Sequence, residues 1–193
     1  DLGEVVVTWE PEVVIAKVFT DPVVRAKVRT QIIEHADWLA LDRGTLPWQD
    51  AVVRAAKRTG LSKADVTGFL RQVPSSLVAI PETVDLLYRL KAKGHSLFCL
   101  SNMHVASIDH LEKLYTFWEV FAGVVISCRL NLCKPEPAIF TYLLETYGLD
   151  AADIVFIDDT EVNLSAAARF GMQTVKFESP AQCENQLQAL GCI

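Results

Sequence analysis

A short apolar run that ends in two adjacent acidic residues constrains the fold of this chain more than any other feature. Residues 154–157 are all β-branched or aromatic, and Asp158 and Asp159 follow directly. A continuous apolar run of this length is typical of a strand buried on both faces of a parallel sheet. Because open α/β sheets bind ligands beyond the carboxyl ends of their strands, both acids are predicted to lie in a binding crevice.

The two neighbouring carboxylates also predict a cation. Like charges side by side raise one another's pKa unless a positive charge lies between them. A hard divalent cation such as Mg²⁺, which prefers oxygen ligands, removes that repulsion. The structural alternative is a turn in which the acids cap the following helix through Thr160.

Beyond residue 80, helical and strand-like periods alternate along the chain. Helices are predicted over 81–93, 104–115, 137–147 and 161–170, and strands over 96–100, 123–127, 154–157 and 173–177. Such spacing implies right-handed crossovers and a doubly wound parallel sheet, an α/β core of the Rossmann-like type. The stretch before it is helical in period throughout. We therefore predict a core formed by residues 1–9 and 79–193, with an inserted all-helical cap at 10–78.

The composition of the chain limits which binding partners and which cellular compartment are compatible with it. Apolar residues make up 51% of the chain, which is typical of a globular protein. The net charge of −6 argues against nucleic acid as a partner. No apolar stretch approaches the roughly 20 residues that span a bilayer. The five cysteines lack CxxC spacing, which favours a reduced, cytoplasmic compartment. A monomer and a homodimer are both compatible with the sequence.

Four short motifs follow predicted strands or open a predicted helix. They are Asp1-Leu2-Gly3, Ser101-Asn102, Lys134-Pro135 and Asp158-Asp159. Each is weak alone, but the ordered set is specific. It resembles the haloacid dehalogenase-like hydrolase superfamily, and within it the phosphatases whose first motif is DLG. The glucose-1-phosphate phosphatases are especially similar.

The resemblance implies a Mg²⁺-dependent phosphatase that acts on a small phosphorylated metabolite, such as a sugar phosphate. Asp1 would be the nucleophile and would form an aspartyl-phosphate intermediate. Mg²⁺ would be held by Asp1, the backbone carbonyl of Gly3 and Asp159. Asp158 would bind the metal directly or through water, since Mg²⁺ keeps several waters in most sites.

The same resemblance implies a phosphate-binding set. Ser101 would donate its hydroxyl, and Asn102 its backbone N–H, to phosphoryl oxygens. Lys134 would neutralise the phosphate and the nucleophile together. A lysine just before a helix opposes the helix dipole, which favours a functional role for this side chain over a structural one.

One departure from the superfamily pattern concerns proton transfer. Most of these phosphatases carry a second Asp two residues after the nucleophile, whereas this chain has Gly3. A positioned acid or base contributes roughly 10²–10⁴-fold to such reactions. Glu4 is the nearest alternative, but one residue further along a strand it would point to the opposite face.

Two alternatives remain at this stage. A 2-haloacid dehalogenase needs no metal, but similar dehalogenases carry Tyr where Gly3 stands and lack the paired acids. A relative that binds phosphate or a partner without turnover is favoured by the loss of the acid/base Asp.

A second departure from the superfamily pattern concerns the start of the chain. In the superfamily, the nucleophile ends an apolar strand. We therefore expect apolar residues upstream of Asp1, because a sheet without its middle strand leaves backbone groups unpaired.

Four further residues are candidates for secondary roles. His104 is predicted to start a helix, with contact to the phosphate as the alternative. Asn163, one helical turn after Asp159, is predicted to hold a metal ligand or to pack within its helix. Arg43 is a candidate for a substrate contact through a cap loop. Trp9 lies where the chain enters the predicted cap.

Overall fold

The computed structural model describes residues 1–193. The region of the predicted cap is entirely helical. Its helices are α1 (Pro11–Val18), α2 (Pro22–Val28), α3 (Ala36–Arg43), α4 (Trp48–Thr59) and α5 (Lys63–Ser76). A π-helical turn, Arg29–Ile33, continues α2. No helix of the protein is both long and apolar enough to cross a membrane.

These five helices enclose a hydrophobic cluster of their own, the cap cluster. It includes Val14 and Ile15 of α1, Val52 of α4, and Val66 and Phe69 of α5. The apolar positions recur at helical spacing, so each helix turns one face inward. A separate cluster supports the prediction that residues 10–78 form a unit distinct from the core, and the boundaries themselves stay a prediction.

The rest of the chain alternates helices and strands. In order these are α6 (Pro81–Ala92), β1 (Leu97–Ser101), α7 (Val105–Leu114), β2 (Phe121–Ile126), α8 (Ser127–Leu130), α9 (Pro137–Tyr147), β3 (Val155–Asp158), α10 (Glu161–Ala168), β4 (Gln173–Lys176) and α11 (Pro180–Ala189). All eight predicted elements are present, and their ends shift by no more than two residues. The sequence analysis did not predict α8 or α11.

Helices cover both faces of the strands, as a doubly wound fold requires. On β1, Cys99 belongs to a cluster with α6, α7 and α11, whereas its neighbour Leu100 belongs to one with α9 and α10. On β2, Ile126 belongs to the first of these clusters and Val125 to the second. Successive side chains on a strand point to opposite faces, so this division explains why the strands are apolar throughout.

The strands form two parallel pairs, β1 with β2 and β3 with β4, rather than one continuous hydrogen-bonded sheet. A cavity of about 480 Å³ lies between the pairs and is lined by residues of β1, β3 and α6. The predicted α/β architecture with a helical cap is confirmed, but its four strands are not joined across the middle. The expectation of apolar residues before Asp1 stays a prediction.

The first nine residues form a turn instead of continuing as a strand. The backbone N–H groups of Val5, Val6 and Val7 all donate to the Leu2 carbonyl. Glu4 adopts a left-handed conformation, with φ 58°. The assumption that Glu4 lies along a strand is therefore wrong, because three hydrogen bonds to one carbonyl close a tight turn at this point.

Candidate active site

Asp1 lies between the ends of β1 and β3 and is held from both sides. Its backbone nitrogen donates to the Ile157 carbonyl on β3 at 2.9 Å. Its Oδ1 accepts from the Ser101 hydroxyl on β1 at 2.6 Å and from the Leu2 N–H at 2.7 Å. The Lys134 Nζ lies 3.0 Å from the same oxygen. These contacts orient the carboxylate and leave Oδ2 without a protein donor.

Lys134 is buried between two carboxylates. Its Nζ lies 2.6 Å from Asp158 Oδ2 as well as 3.0 Å from Asp1 Oδ1, and the residue is only 2% exposed. Burial lowers the pKa of Lys134, although the Asp158 carboxylate acts in the opposite direction. The two ion pairs offset the cost of removing the ammonium from water, which would otherwise exclude a lysine from this position.

The Asn102 side chain positions Lys134, which the sequence analysis did not predict. Its Oδ1 accepts from the Lys134 backbone N–H at 2.8 Å, and its Nδ2 donates to the Lys134 carbonyl at 2.9 Å. The Asn102 backbone N–H donates to no protein acceptor, so it is free for a ligand. Asn102 thus has a positioning contact in addition to the free N–H that was predicted to bind phosphate.

Asp158 and Asp159 differ sharply in their surroundings. Asp158 is fully buried, and its Oδ1 accepts from the Thr160 N–H at 2.9 Å and the Asn163 Nδ2 at 3.0 Å. Burial alone would raise its pKa, but the charge of Lys134 together with the hydrogen bonds from Lys134 and Asn163 and the other nearby positive charge lowers the pKa overall. Asp159 has no Lys or Arg partner, and burial together with the Asp158 charge raises its pKa.

The three acids form a group that fits a hard metal ion. Carboxylate oxygens of Asp1, Asp158 and Asp159 all lie within 4.8 Å of one another. The unshared oxygens belong to Asp1 and Asp159, whereas both oxygens of Asp158 are used by protein partners. The Gly3 carbonyl accepts no backbone hydrogen bond. An all-oxygen set of this kind suits a hard cation such as Mg²⁺. The structure thus brings the three predicted acids together, and their role as metal ligands stays a prediction.

No side chain takes the place of the missing acid at Gly3. A Cβ built on Gly3 would meet no atom within 4 Å, so the space beside Asp1 is open. The Glu4 carboxylate accepts from the Trp9 N–H at 2.9 Å. Burial and the charge of Asp159 raise the pKa of Glu4, and the hydrogen bond from Trp9 opposes them.

Comparison with known proteins identifies the family. The profile of the haloacid dehalogenase-like hydrolases matches residues 24–171, more than half of the chain. The chain belongs to this family of hydrolases. The match covers the second and third motifs and both acids of the fourth, and it includes most of the helical cap.

Among curated proteins, the chain is 26% identical over 193 residues to sesquiterpene phosphatase astK of Aspergillus oryzae, covering all of this chain and 95% of that protein. It is 26% identical over 190 residues to drimenol cyclase drtB of Aspergillus calidoustus, of which it spans only 35%. Among solved structures, a HAD family enzyme from Bacteroides thetaiotaomicron in complex with magnesium and inorganic phosphate superposes with a TM-score of 0.75. The two share 23% identity, and the alignment covers 92% of this chain and 91% of the other, which establishes a common fold.

In this hydrolase a loop of the cap is tied to the core through Arg43. The Arg43 guanidinium forms a two-pronged ion pair with Glu136, with Nη1 2.7 Å from Oε2. The Arg43 carbonyl accepts from Asn131 Nδ2 at 3.0 Å. Gly44 follows with φ 80°, and a Cβ there would lie 2.5 Å from the Cys128 carbonyl oxygen. Arg43, a candidate substrate contact, is thus bound to the core.

Asp42 completes this connection, which we term the polar latch (Asp42 and Arg43 with their core partners). The Ser127 hydroxyl donates to the Asp42 carbonyl. His104 Nδ1 lies 3.3 Å from Asp42 Oδ1, and its Nε2 lies 3.1 Å from the Ser107 hydroxyl. His104 directly precedes α7, as predicted, although its side chain makes no capping hydrogen bond. Both of its ring nitrogens have protein partners.

Proposed function

We propose that this hydrolase is a Mg²⁺-dependent phosphatase that cleaves a small phosphorylated metabolite through an aspartyl-phosphate on Asp1. The observation that carries the proposal is the convergence of Asp1, Asp158 and Asp159, which come from opposite ends of the chain, around the buried ammonium of Lys134. The similarity to a sesquiterpene phosphatase over the full chain supports phosphoryl transfer as the reaction class.

The residues divide the work of phosphoryl transfer as follows. The free Oδ2 of Asp1 attacks phosphorus in line with the leaving oxygen, and the phosphorus–oxygen ester bond breaks. The Asn102 N–H and Lys134 hold the phosphoryl oxygens, where preorganised donors stabilise the transition state. Ser101 joins them when its hydroxyl exchanges Asp1 Oδ1 for a phosphoryl oxygen. Water then attacks the phosphorus of the acyl phosphate, releasing inorganic phosphate and restoring the Asp1 carboxylate. Bound Mg²⁺ supplies further positive charge at the phosphoryl oxygens.

The substrate enters between the proposed core, 1–9 and 79–193, and the proposed cap, 10–78. The sequence resemblance favours a sugar phosphate such as glucose 1-phosphate. The similarity to sesquiterpene phosphatase astK favours the monophosphate of an apolar alcohol instead. Because Gly3 supplies no acid, we expect substrates whose leaving group departs without a proton to react fastest in either case.

A direct experiment is p-nitrophenyl phosphate hydrolysis with and without Mg²⁺, comparing the wild-type protein with Asp1→Asn. We expect Mg²⁺-dependent hydrolysis that falls by about 10³-fold or more in the variant, because the nucleophile is lost. Asp153→Asn, an exposed acid outside the site, is the matched control and retains full activity. Thermal unfolding of each protein shows whether a loss of activity reflects a loss of fold.

The other two functions have distinct outcomes in the same experiment. Chloride release from 2-chloropropionate without metal would establish a dehalogenase, although the paired acids at 158 and 159 argue against one. Phosphate binding without any turnover would establish a non-catalytic relative. Either result contradicts the proposal.

A further inference from the structure

Three aromatic side chains form a continuous cluster at the junction of cap and core. Trp9 and Trp38 are stacked, with ring centroids 5.6 Å apart and planes inclined by 26°. The ring centroids of Trp38 and His104 are 5.8 Å apart, and their planes are inclined by 80°. We call these three residues the aromatic wall. Trp9 packs against both the cap cluster and the core, so the wall spans the two parts.

The aromatic wall adjoins both ends of the proposed active site. The Trp9 N–H is bound by Glu4, the residue after Gly3. His104 follows Asn102 by two residues. Because consecutive Cα atoms are about 3.8 Å apart, the two Cα atoms are separated by no more than about 8 Å. This short separation places the wall near a phosphate bound at the Asn102 N–H.

The wall is only partly covered by the protein. Trp9 and Trp38 are both half-buried, whereas His104 is 7% exposed. Each tryptophan therefore keeps part of its surface in contact with water, and tryptophan side chains of this kind are enriched where proteins bind partners. A hydrocarbon chain laid over these rings would remove that surface from water.

Most polar groups next to the wall are already engaged. Arg43 is bound by Glu136, and the backbone and carboxylate of Asp42 contact Ser127 and His104. Both ring nitrogens of His104 have protein partners, so neither is free for a substrate hydroxyl. A sugar needs hydrogen-bond partners for each hydroxyl that it buries, because an unpaired buried hydroxyl is costly. Within the polar latch Asp42 Oδ2 has no protein partner, and the indole N–H groups of the two tryptophans of the wall have none either. These are fewer groups than the several hydroxyls of a sugar require.

We infer that Trp9, Trp38 and His104 bind the organic part of the substrate, and that this part is an apolar, terpenoid-like hydrocarbon rather than a sugar. The inference rests on the proposed phosphatase function, since it assigns the leaving group of that reaction. The competing explanation is that the wall only fastens the cap to the core.

The test compares three substrates that share a phosphate and differ in the leaving group. They are farnesyl monophosphate, glucose 1-phosphate and acetyl phosphate, whose leaving group is too short to reach the wall. We expect kcat/KM to be at least about tenfold higher for farnesyl monophosphate than for glucose 1-phosphate. Equal rates, or a preference for glucose 1-phosphate, would overturn the inference.

Variants of Trp38 separate recognition from support of the fold. Trp38→Ala should lower kcat/KM for farnesyl monophosphate about tenfold or more, mainly through KM, and change acetyl phosphate by less than about twofold. Trp38→Phe should restore most of the loss. Trp48→Ala removes a tryptophan that packs on the cap cluster outside the wall, and it should not alter the ratio of the substrates. An equal loss on all substrates in Trp38→Ala would assign the wall a purely structural role.

A binding measurement separates this inference from the proposed function. Asp1→Asn protein with Mg²⁺ is titrated with farnesyl monophosphate and with glucose 1-phosphate by calorimetry. If the wild-type protein hydrolyses none of the substrates but farnesyl monophosphate binds in a Trp38-dependent way, the phosphatase function fails and the wall is a binding site for an apolar phosphate ester rather than for a leaving group. If all three are hydrolysed without an apolar preference, the function stands and the inference fails. The inference is also overturned if farnesyl monophosphate does not bind to the Asp1→Asn protein.

Discussion

The base of the crevice and its cap-facing rim are built on opposite principles. At the base, Asp1, Lys134 and Asp158 are buried and linked by short ion pairs and hydrogen bonds. At the rim, Gly3 has no side chain and Trp38 presents an aromatic face. A site that binds a phosphoryl group needs fixed positive charge at its base. A rim with few free polar groups favours an apolar leaving group over a polar one. The contrast agrees with the two proposals made above, which place the reaction chemistry at the base and the choice of substrate at the rim.

The largest expected effect comes from removing charge at the base. Lys134→Met should lower kcat/KM by about 10²–10³-fold, because a donor to the transition state is lost. It should also destabilise the fold by about 3–5 kcal/mol, since two carboxylates stay buried without their cation. Steady-state kinetics and urea unfolding measure the two effects.

Lys113→Met, at an exposed position on α7, is the control for this variant and should match the wild-type protein in both measurements. Retention of activity within about threefold in Lys134→Met would remove Lys134 from the proposed mechanism. Added Mg²⁺ should recover part of the lost stability, because it places positive charge among the same carboxylates.

A second prediction adds a polar group to the rim. Gly3→Asp should raise kcat on alkyl phosphates by about 10²-fold, because it introduces a proton donor where the structure leaves space. Hydrolysis of p-nitrophenyl phosphate should change little, since p-nitrophenolate leaves without a proton. Gly3→Asn fills the same space without an acid and should give no increase. A gain of equal size on both kinds of substrate would contradict acid catalysis as the cause.

A third, smaller effect concerns the polar latch. Arg43 and Glu136 form a two-pronged pair at a partly exposed position, where such pairs contribute about 0.2–1 kcal/mol. A double-mutant cycle with Arg43→Ala and Glu136→Ala, followed by urea unfolding, should return a coupling energy in that range. A coupling energy of zero would show that the Arg43–Glu136 pair does not hold the cap on the core. The contacts of Asp42 would then be the remaining part of the polar latch.

The smallest effect is a pH dependence beside the aromatic wall. Asp37, next to Trp38, accepts from Arg58 Nη1 at 2.9 Å and ties α3 to α4. Burial raises the pKa of Asp37, but the hydrogen bond and charge of Arg58 outweigh it and lower the pKa overall. A depressed pKa stabilises the fold above the unfolded value of about 3.9, and that contribution is lost as pH falls through the lower folded value.

Asp37→Asn should therefore cost stability at pH 6 and much less at pH 3, as measured by urea unfolding at both values. Asp50→Asn, an exposed acid in the first turn of α4, serves as the comparison. An equal cost at both pH values would show that shape, and not charge, is what Asp37 contributes.

Sequence alone predicted the parts of the molecule that depend on local pattern. The apolar run before Asp158 and the helix that ends at Gly148 follow from periodicity and end signals, and both are present. Ser101 ends β1 and Asp158 ends β3. The carboxyl ends of parallel strands share one edge of a sheet, so the second and fourth motifs were expected to be close.

The features that sequence missed depend on contacts between distant segments. Nothing local predicts that Asn102 holds the backbone of Lys134, or that Arg43 binds Glu136 instead of a substrate. The turn after Leu2 was missed because three consecutive valines are typical of a strand, whereas here their N–H groups share one carbonyl. The roles of the site residues stay predictions until variants are measured.

The position of Asp1 has a mechanical consequence. The two strand pairs are not joined by ladder hydrogen bonds, yet Asp1 bonds to Ile157 on one side and to Ser101 on the other. Asp1 therefore contacts the ends of β1 and β3 at the same time. A substitution that shifts either strand end would also move a group that holds Asp1, so the position of the proposed nucleophile depends on the packing of both strands.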